Sequence, residues 1–143
     1  MTEHDFDLSS KDKEGRTLLM ESVLRGSDAM VALLVERGIN SNTQDNAGFS
    51  ALHFAAQEYR VIAAEVLIRA GAKLELRDSF GNTPLWSAVV NSRGRGEMIK
   101  LLLKHGANPN SKNNHGKSPL DMANIVANFD LKQFFAEDVG PSL

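Results

Sequence analysis

Cysteine is absent from the 143 residues, which excludes disulfides, thiol nucleophiles and cysteine-ligated metal sites. No apolar run is long enough to span a bilayer, and the opening M-T-E-H-D-F-D-L has no apolar core typical of a signal peptide. The net charge is only -2, so no basic surface is expected for nucleic acid. These features favour a cytoplasmic protein that binds neither nucleic acid nor membranes.

What the sequence does contain is a motif that returns at a fixed spacing. Asp12, Asp45 and Asp78 follow one another at steps of 33 residues. The second begins D-N-A-G-F-S-A-L-H-F-A-A, and the third begins D-S-F-G-N-T-P-L-W-S-A. A period of this length indicates a solenoid of repeated structural units.

Each unit carries the local signals of a turn followed by two helices. In the first unit Gly15 favours a tight turn, and Thr17 is a suitable N-cap for a helix over about Leu18 to Arg25. A second helix is predicted from about Asp28 to Arg37, and it ends at a glycine. The pattern therefore predicts units made of a turn followed by a pair of helices.

On these motifs the chain resembles an ankyrin-repeat protein over roughly residues 5 to 135. The resemblance implies one all-α domain, a solenoid of stacked helix-turn-helix units with β-hairpin-like finger turns. The stretch from Gly15 to Met20 resembles the opening repeat of small stand-alone bacterial members. The expected segments are an N-terminal arm (1–11), repeats 12–44, 45–77, 78–112 and 113–136, and a C-terminal tail (137–143).

Three departures from the regular repeat are predicted to matter. Tyr59 stands where a glycine normally closes the first helix, so that turn is expected to be strained or differently capped. The third repeat has two extra residues in a polar loop over 91–96. In the fourth repeat the second helix is predicted at about Phe129 to Ala136, which is short.

No constellation of residues predicts catalysis or a bound metal or cofactor. The resemblance implies that His53 joins adjacent turns through hydrogen bonds, and His105 lies at a helix end, where the dipole favours a cation. His115 lies in a predicted turn and His4 in the N-terminal arm. The recurring aspartates are expected to form turns. We therefore expect a protein that is not an enzyme and holds no cofactor.

The resemblance places the binding surface on the concave face, which is formed by the finger turns and the first helix of each pair. The candidate protein-binding residues lie at those positions and in the loop over 91–96. They are Arg16, Glu21, Arg25, Asn46, Phe49, Phe54, Glu58, Phe80, Asn82, Trp86, Asn91, Arg93 and Arg95.

The aromatic candidates leave two interpretations open. Phe49 and Phe80 either anchor a partner or fold back over a neighbouring turn, since aromatic side chains are enriched at interfaces but also fill cores. Trp86, which replaces the motif histidine, either packs between repeats or presents its edge to a partner. Met20, at the same position in the first repeat, is expected to be core. Arg93 and Arg95 either contact a partner or lie in a solvated loop.

The resulting functional hypothesis is a non-catalytic protein-protein interaction module that is monomeric alone. Some small bacterial ankyrin proteins act as inhibitors or immunity partners of toxins, so an inhibitor or immunity protein is one expectation. The alternatives are a permanent structural subunit of a larger assembly and a regulatory inhibitor of a kinase or transcription factor. Function does not follow from fold, so the partner stays open at this point.

Overall fold

The computed structural model describes residues 7–126 and 129–137. The expectations for residues 1–6 of the arm, including His4, and for residues 138–143 of the tail lie outside this range. The described residues contain eight α-helices and no β-strand, so the predicted all-α class is confirmed. The helices are α1 (Leu18–Leu24), α2 (Asp28–Glu36), α3 (Ala51–Gln57), α4 (Val61–Arg69), α5 (Pro84–Val90), α6 (Glu97–Lys104), α7 (Pro119–Ile125) and α8 (Lys132–Glu137).

The helices form two parallel rows. Inner helices α1, α3, α5 and α7 contact one another in order along one row, and outer helices α2, α4, α6 and α8 do so along the other. Leucines at equivalent positions fill the space between repeats: Leu34, Leu67 and Leu102 of the outer row are fully buried. Ala55 and Ala56 let the inner helices approach closely. Each pair thus buries an apolar face that it cannot cover alone.

The finger turns are built around one repeated side chain. The Oδ1 atom of Asp12 accepts hydrogen bonds from the backbone N–H groups two and four residues later, at 3.0 and 2.8 Å. Asp45, Asp78 and Asn113 make the same pair of bonds in their own repeats. The predicted turn-forming role of the aspartates is confirmed, because the side chain satisfies backbone donors that no helix or strand engages.

Neighbouring finger turns are joined through the backbone. At each junction one N–H donates to a carbonyl of the preceding turn, at 2.9 Å in every case. The backbone polar groups at the turn junctions therefore bond within the protein. The three bonds run from Asn46 to Glu14, from Ser79 to Ala47 and from Asn114 to Phe80.

One helix boundary differs from the prediction. The last helix begins at Lys132, not at Phe129. The reason lies in packing: Phe129 lies against Gly94, where an added Cβ would sit 2.6 Å from the Phe129 Cδ1 atom, and Leu131 is fully buried. Both side chains make these contacts from residues outside any helix, and the last helix begins only after them, at Lys132.

A stability prediction follows from the end of α4. Gly71 has φ +95° with open space around the position of a Cβ, so only the backbone conformation opposes a side chain there. Replacing Gly71 with alanine is expected to reduce the free energy of unfolding by about 1 kcal/mol. Urea unfolding followed by circular dichroism measures this difference.

The matched control is Gly71→Asn, since asparagine tolerates the left-handed region better than alanine. The asparagine variant is expected to lose less stability than the alanine variant. Equal midpoints for wild type and Gly71→Ala would show that φ at this residue does not limit stability.

Candidate functional site

A groove of about 350 Å³ lies on the concave face of repeats 2 to 4. Its apolar walls are formed by Phe49, Phe80, Trp86 and Val90. Polar groups also border it, contributed by finger turns and by the inner helices. These border residues include Gln57, Asp78, Asn82, Ser87, Asn91, Asn113 and His115.

The two turn phenylalanines adopt different arrangements. Phe49 is half-buried and packs against the rings of His53 and Phe54, with centroid distances of 5.7 and 5.4 Å. Phe80 is 57% exposed. Phe49 therefore folds back over α3, while Phe80 leaves a large apolar surface in solvent at the edge of the groove. Exposed aromatic surface beside a concave site is typical of binding anchors.

Trp86 forms the groove wall at the position where the second repeat has His53. His53 accepts a hydrogen bond from the Ser50 N–H and donates from Nε2 to the Asn82 carbonyl at 2.8 Å, as the resemblance implies. An indole cannot make this pair of bonds. In the third repeat the Thr83 Oγ1 and Trp86 Nε1 atoms are buried and find no hydrogen-bond partner among the described residues.

Burial lowers the pKa of His53 below 6.5, and its hydrogen bond to the Asn82 carbonyl opposes that shift. The side chain is almost completely buried, so the neutral imidazole is the form that the fold accommodates.

Two candidate residues are largely buried. Phe54 is 2% exposed and Asn82 is 6% exposed. Phe54 is covered by Phe49 and by the Arg16 guanidinium, which stands 5.3 Å from its ring centroid. The Asn82 carbonyl accepts from His53, and its side-chain oxygen accepts from Asn113 at 2.8 Å. Phe54 therefore supports the face from below, whereas Asn82 both supports it and borders the groove.

The other candidates divide by their position relative to the groove. Phe49, Phe80, Trp86 and Asn91 line it together with Asn82. Arg16, Glu21, Arg25, Asn46 and Glu58 do not line it. Of these, Arg16 is partly engaged by Asp45 at 3.8 Å, and Asn46 donates to the Lys13 carbonyl. Gln57 and His115 also line the groove, although they were not among the candidate site residues. The repeat pattern could have indicated them, because it places Gln57 on an inner helix and His115 in a finger turn.

The predicted strain at Tyr59 is confirmed, with φ of 58°. Its ring supports the Arg95 guanidinium at 3.8 Å from the centroid. Its hydroxyl donates to the Glu97 carboxylate and accepts from the Met98 N–H, both at 3.2 Å. Burial is the main cause that raises the pKa of Tyr59 above its usual value of 10.0. Tyr59 of repeat 2 thus contacts the loop over 91–96 of repeat 3 and the start of the helix that follows it.

Two absences hold for the part of the chain that the structure describes. None of the helices there has the length and apolar composition of a membrane span. No group of three or more histidine, aspartate or glutamate side chains is arranged there to hold a metal ion.

Comparison with known families identifies repeats along most of the chain. A family model described as ankyrin repeats, in three copies, matches residues 2–78, and a model for a single ankyrin repeat matches residues 80–114. Together the two models cover well over half of the sequence.

Known proteins with similar sequences come from bacteria, animals and a virus. A putative ankyrin repeat-containing protein of Treponema pallidum is 36% identical over 121 residues, which is 84% of this chain and 40% of that protein. The mouse B-cell lymphoma 3 protein homolog is 31% identical, covering 85% of this chain and 27% of that protein. The mouse protein fem-1 homolog A-like is 31% identical over 71% of this chain and 15% of its own length. This chain therefore spans less than half the length of each of these relatives.

A pH dependence is predicted from His53. Because its folded pKa lies below 6.5, the unfolded chain binds the proton first as the pH falls. The stability contributed by neutral His53 is complete above the unfolded pKa and decreases as the pH falls from there toward the folded pKa.

Urea unfolding of wild type and His53→Gln between about pH 8 and about pH 5 tests this prediction. The remaining histidines are common to both proteins, so the difference between them isolates His53. That difference is expected to shrink toward acid pH. A difference that stays constant or grows would show that His53 is not held neutral.

The hydroxyl of Tyr59 is predicted to stabilise the loop. Tyr59→Phe keeps the ring under Arg95 but removes both hydrogen bonds, and it is expected to cost about 1 kcal/mol of unfolding free energy. Chemical unfolding measures the cost. An unchanged midpoint would mean that water replaces the hydroxyl without loss.

Proposed function

The chain belongs to the ankyrin-repeat family, whose repeats are non-catalytic protein-protein interaction modules, and from that membership we propose that it binds a partner protein through the concave groove. Phe80 and Trp86 are the proposed apolar anchors. The observation that carries the proposal is the exposed Phe80 ring beside a groove whose walls are mainly apolar.

The hydrogen bonding of the finger turns supports recognition through side chains. The turn aspartates and the backbone bonds between neighbouring turns engage the main-chain groups within the protein. A partner that reaches this surface therefore meets the variable side chains of the turns and inner helices. This division explains how one scaffold can be specific without changing its fold.

The finer proposal is a cytoplasmic, non-enzymatic inhibitor or immunity-type protein that blocks its partner by covering it. Its support is the similarity of the first repeat to small bacterial ankyrin proteins, together with the bacterial relative in Treponema pallidum. A permanent structural subunit and a kinase or transcription-factor regulator are the competing roles, and the identity of the partner separates them.

The test is affinity capture from extract of the source cells, with bound proteins identified by mass spectrometry. Wild type is compared with Phe80→Ala, which removes the exposed ring from the groove. The predicted result is a specific partner retained by wild type and strongly reduced in the variant, because truncation of an anchor residue commonly costs about 2 kcal/mol or more of binding.

The matched control is Ile62→Ala. Ile62 lies on outer helix α4 and is 61% exposed, so its truncation removes a comparable apolar surface away from the groove. Binding that falls with Ile62→Ala and persists with Phe80→Ala would place the interface on the outer row and contradict the proposal.

A further inference from the structure

The loop over 91–96 is held in place from several sides, although it is the longest departure from the repeat. The Arg95 side chain lies on the Tyr59 ring, and its Nε and Nη2 atoms donate to the carbonyls of Ser92 and Asn91 at 2.7 and 3.3 Å. Ser92 is itself buried. The Arg95 side chain therefore stabilises the loop through its internal contacts.

The opposite side of the loop packs against the last repeat. An added Cβ on Gly94 would sit 2.6 Å from the ring of Phe129, and one on Gly96 would sit 2.4 Å from the ring of Phe134. A side chain at either position would require the facing ring to move. The loop is thus packed between Tyr59 on one side and the two phenylalanines on the other.

Arg93 lies at the tip of this packed loop and differs from its neighbours. It has φ of 54°, in the left-handed region that glycine and asparagine adopt more easily, and its side chain is exposed. It makes no hydrogen bond, ion pair or ring contact within the described part of the chain. The Arg95 N–H donates to the Ser92 carbonyl at 3.0 Å and closes a turn whose two central residues, Arg93 and Gly94, both have positive φ. The turn therefore sets the backbone of Arg93 and leaves its guanidinium exposed.

The position of Arg93 is continuous with the groove. Val90 and Asn91 line the groove at the end away from the finger turns, and Arg93 follows Asn91 by two residues, so their Cα atoms lie within about 7 Å of each other. The Glu97 carboxylate accepts a hydrogen bond from the Tyr59 hydroxyl. The Arg93 guanidinium at this end of the groove is therefore available to a partner.

We propose that the segment of the partner that fills the groove carries an apolar side chain for Phe80 and Trp86 and a carboxylate that pairs with Arg93. A guanidinium suits this role because its planar donors match the two oxygens of a carboxylate. This inference rests on the proposed function of the groove. It separates the two loop arginines: Arg93 selects an acidic partner, and Arg95 supports the loop.

The test uses a random peptide library displayed on phage, selected separately on wild type, Arg93→Asn and Arg93→Glu. Peptides enriched on wild type are expected to combine an apolar residue with an aspartate or glutamate at a constant spacing. Selection on Arg93→Asn is expected to lose the acidic position, and selection on Arg93→Glu to replace it with lysine or arginine. Asparagine suits the left-handed backbone, so the loss reports charge rather than misfolding.

Direct titration with an enriched acidic peptide gives the magnitude. Arg93→Asn is expected to weaken its binding about fivefold, the size of a solvent-exposed ion pair. Arg93→Lys is expected to fall between wild type and Arg93→Asn, because it keeps the charge but loses the paired donors. Arg37→Glu, which changes an exposed arginine at the end of outer helix α2, is the control and is expected to leave the enriched acidic position unchanged.

The outcomes separate this inference from the proposed function. Peptides that bind wild type and lose affinity in Phe80→Ala but show no acidic preference would overturn the role of Arg93 and leave the groove as the binding site. Enriched peptides whose binding ignores Phe80→Ala would overturn both. An acidic preference that survives Arg93→Asn and disappears in Arg95→Ala would show that Arg95 makes the contact, and it would overturn the proposed role of Arg93.

Discussion

Each helix pair of this protein depends on the pair beside it, because its apolar face is covered only when another pair stacks on it. Leu34, Leu67 and Leu102 are buried at the same position of successive repeats, so the core is a row of equivalent contacts rather than a single centre. Stability is then distributed along the chain and passes from neighbour to neighbour. The polar turns take part in the same scheme, since each is joined by a backbone hydrogen bond to the one before it.

This arrangement leaves the concave face free to vary. The elements that hold the repeats together are a turn aspartate, buried leucines and alanines, and a histidine between turns in the second repeat. Side chains such as Phe80 project from the same turns without taking part in that framework. Function can therefore change at these positions with little consequence for stacking, which is the physical basis for treating them as the site.

The irregular features cluster around the third repeat and compensate one another. Tyr59 occupies a strained conformation in repeat 2, yet its ring and hydroxyl engage Arg95, Glu97 and Met98 of repeat 3. Trp86 stands at the position where repeat 2 has the histidine that joins the turns, and it forms part of the groove wall. The cost is visible in the buried Thr83 hydroxyl and Trp86 indole nitrogen, which have no hydrogen-bond partner among the residues that the structure describes. A repeat that has given up regular hydrogen bonds in this way is the place where a binding function is expected.

The sequence by itself determined the repeat, the helix pairs and the turn aspartates, because each depends on local spacing: a 33-residue period, a capping residue and a glycine stop are visible without knowledge of distant contacts. The strain at Tyr59 was also predictable, since a side chain stood where glycine is expected. Only the tertiary structure decided which candidates face solvent. Phe49 and Phe80 occupy comparable turns, but Phe49 finds His53 and Phe54 beneath it while Phe80 remains exposed. The late start of α8 and the division of roles between Arg93 and Arg95 likewise depend on contacts between distant residues, which no local pattern contains.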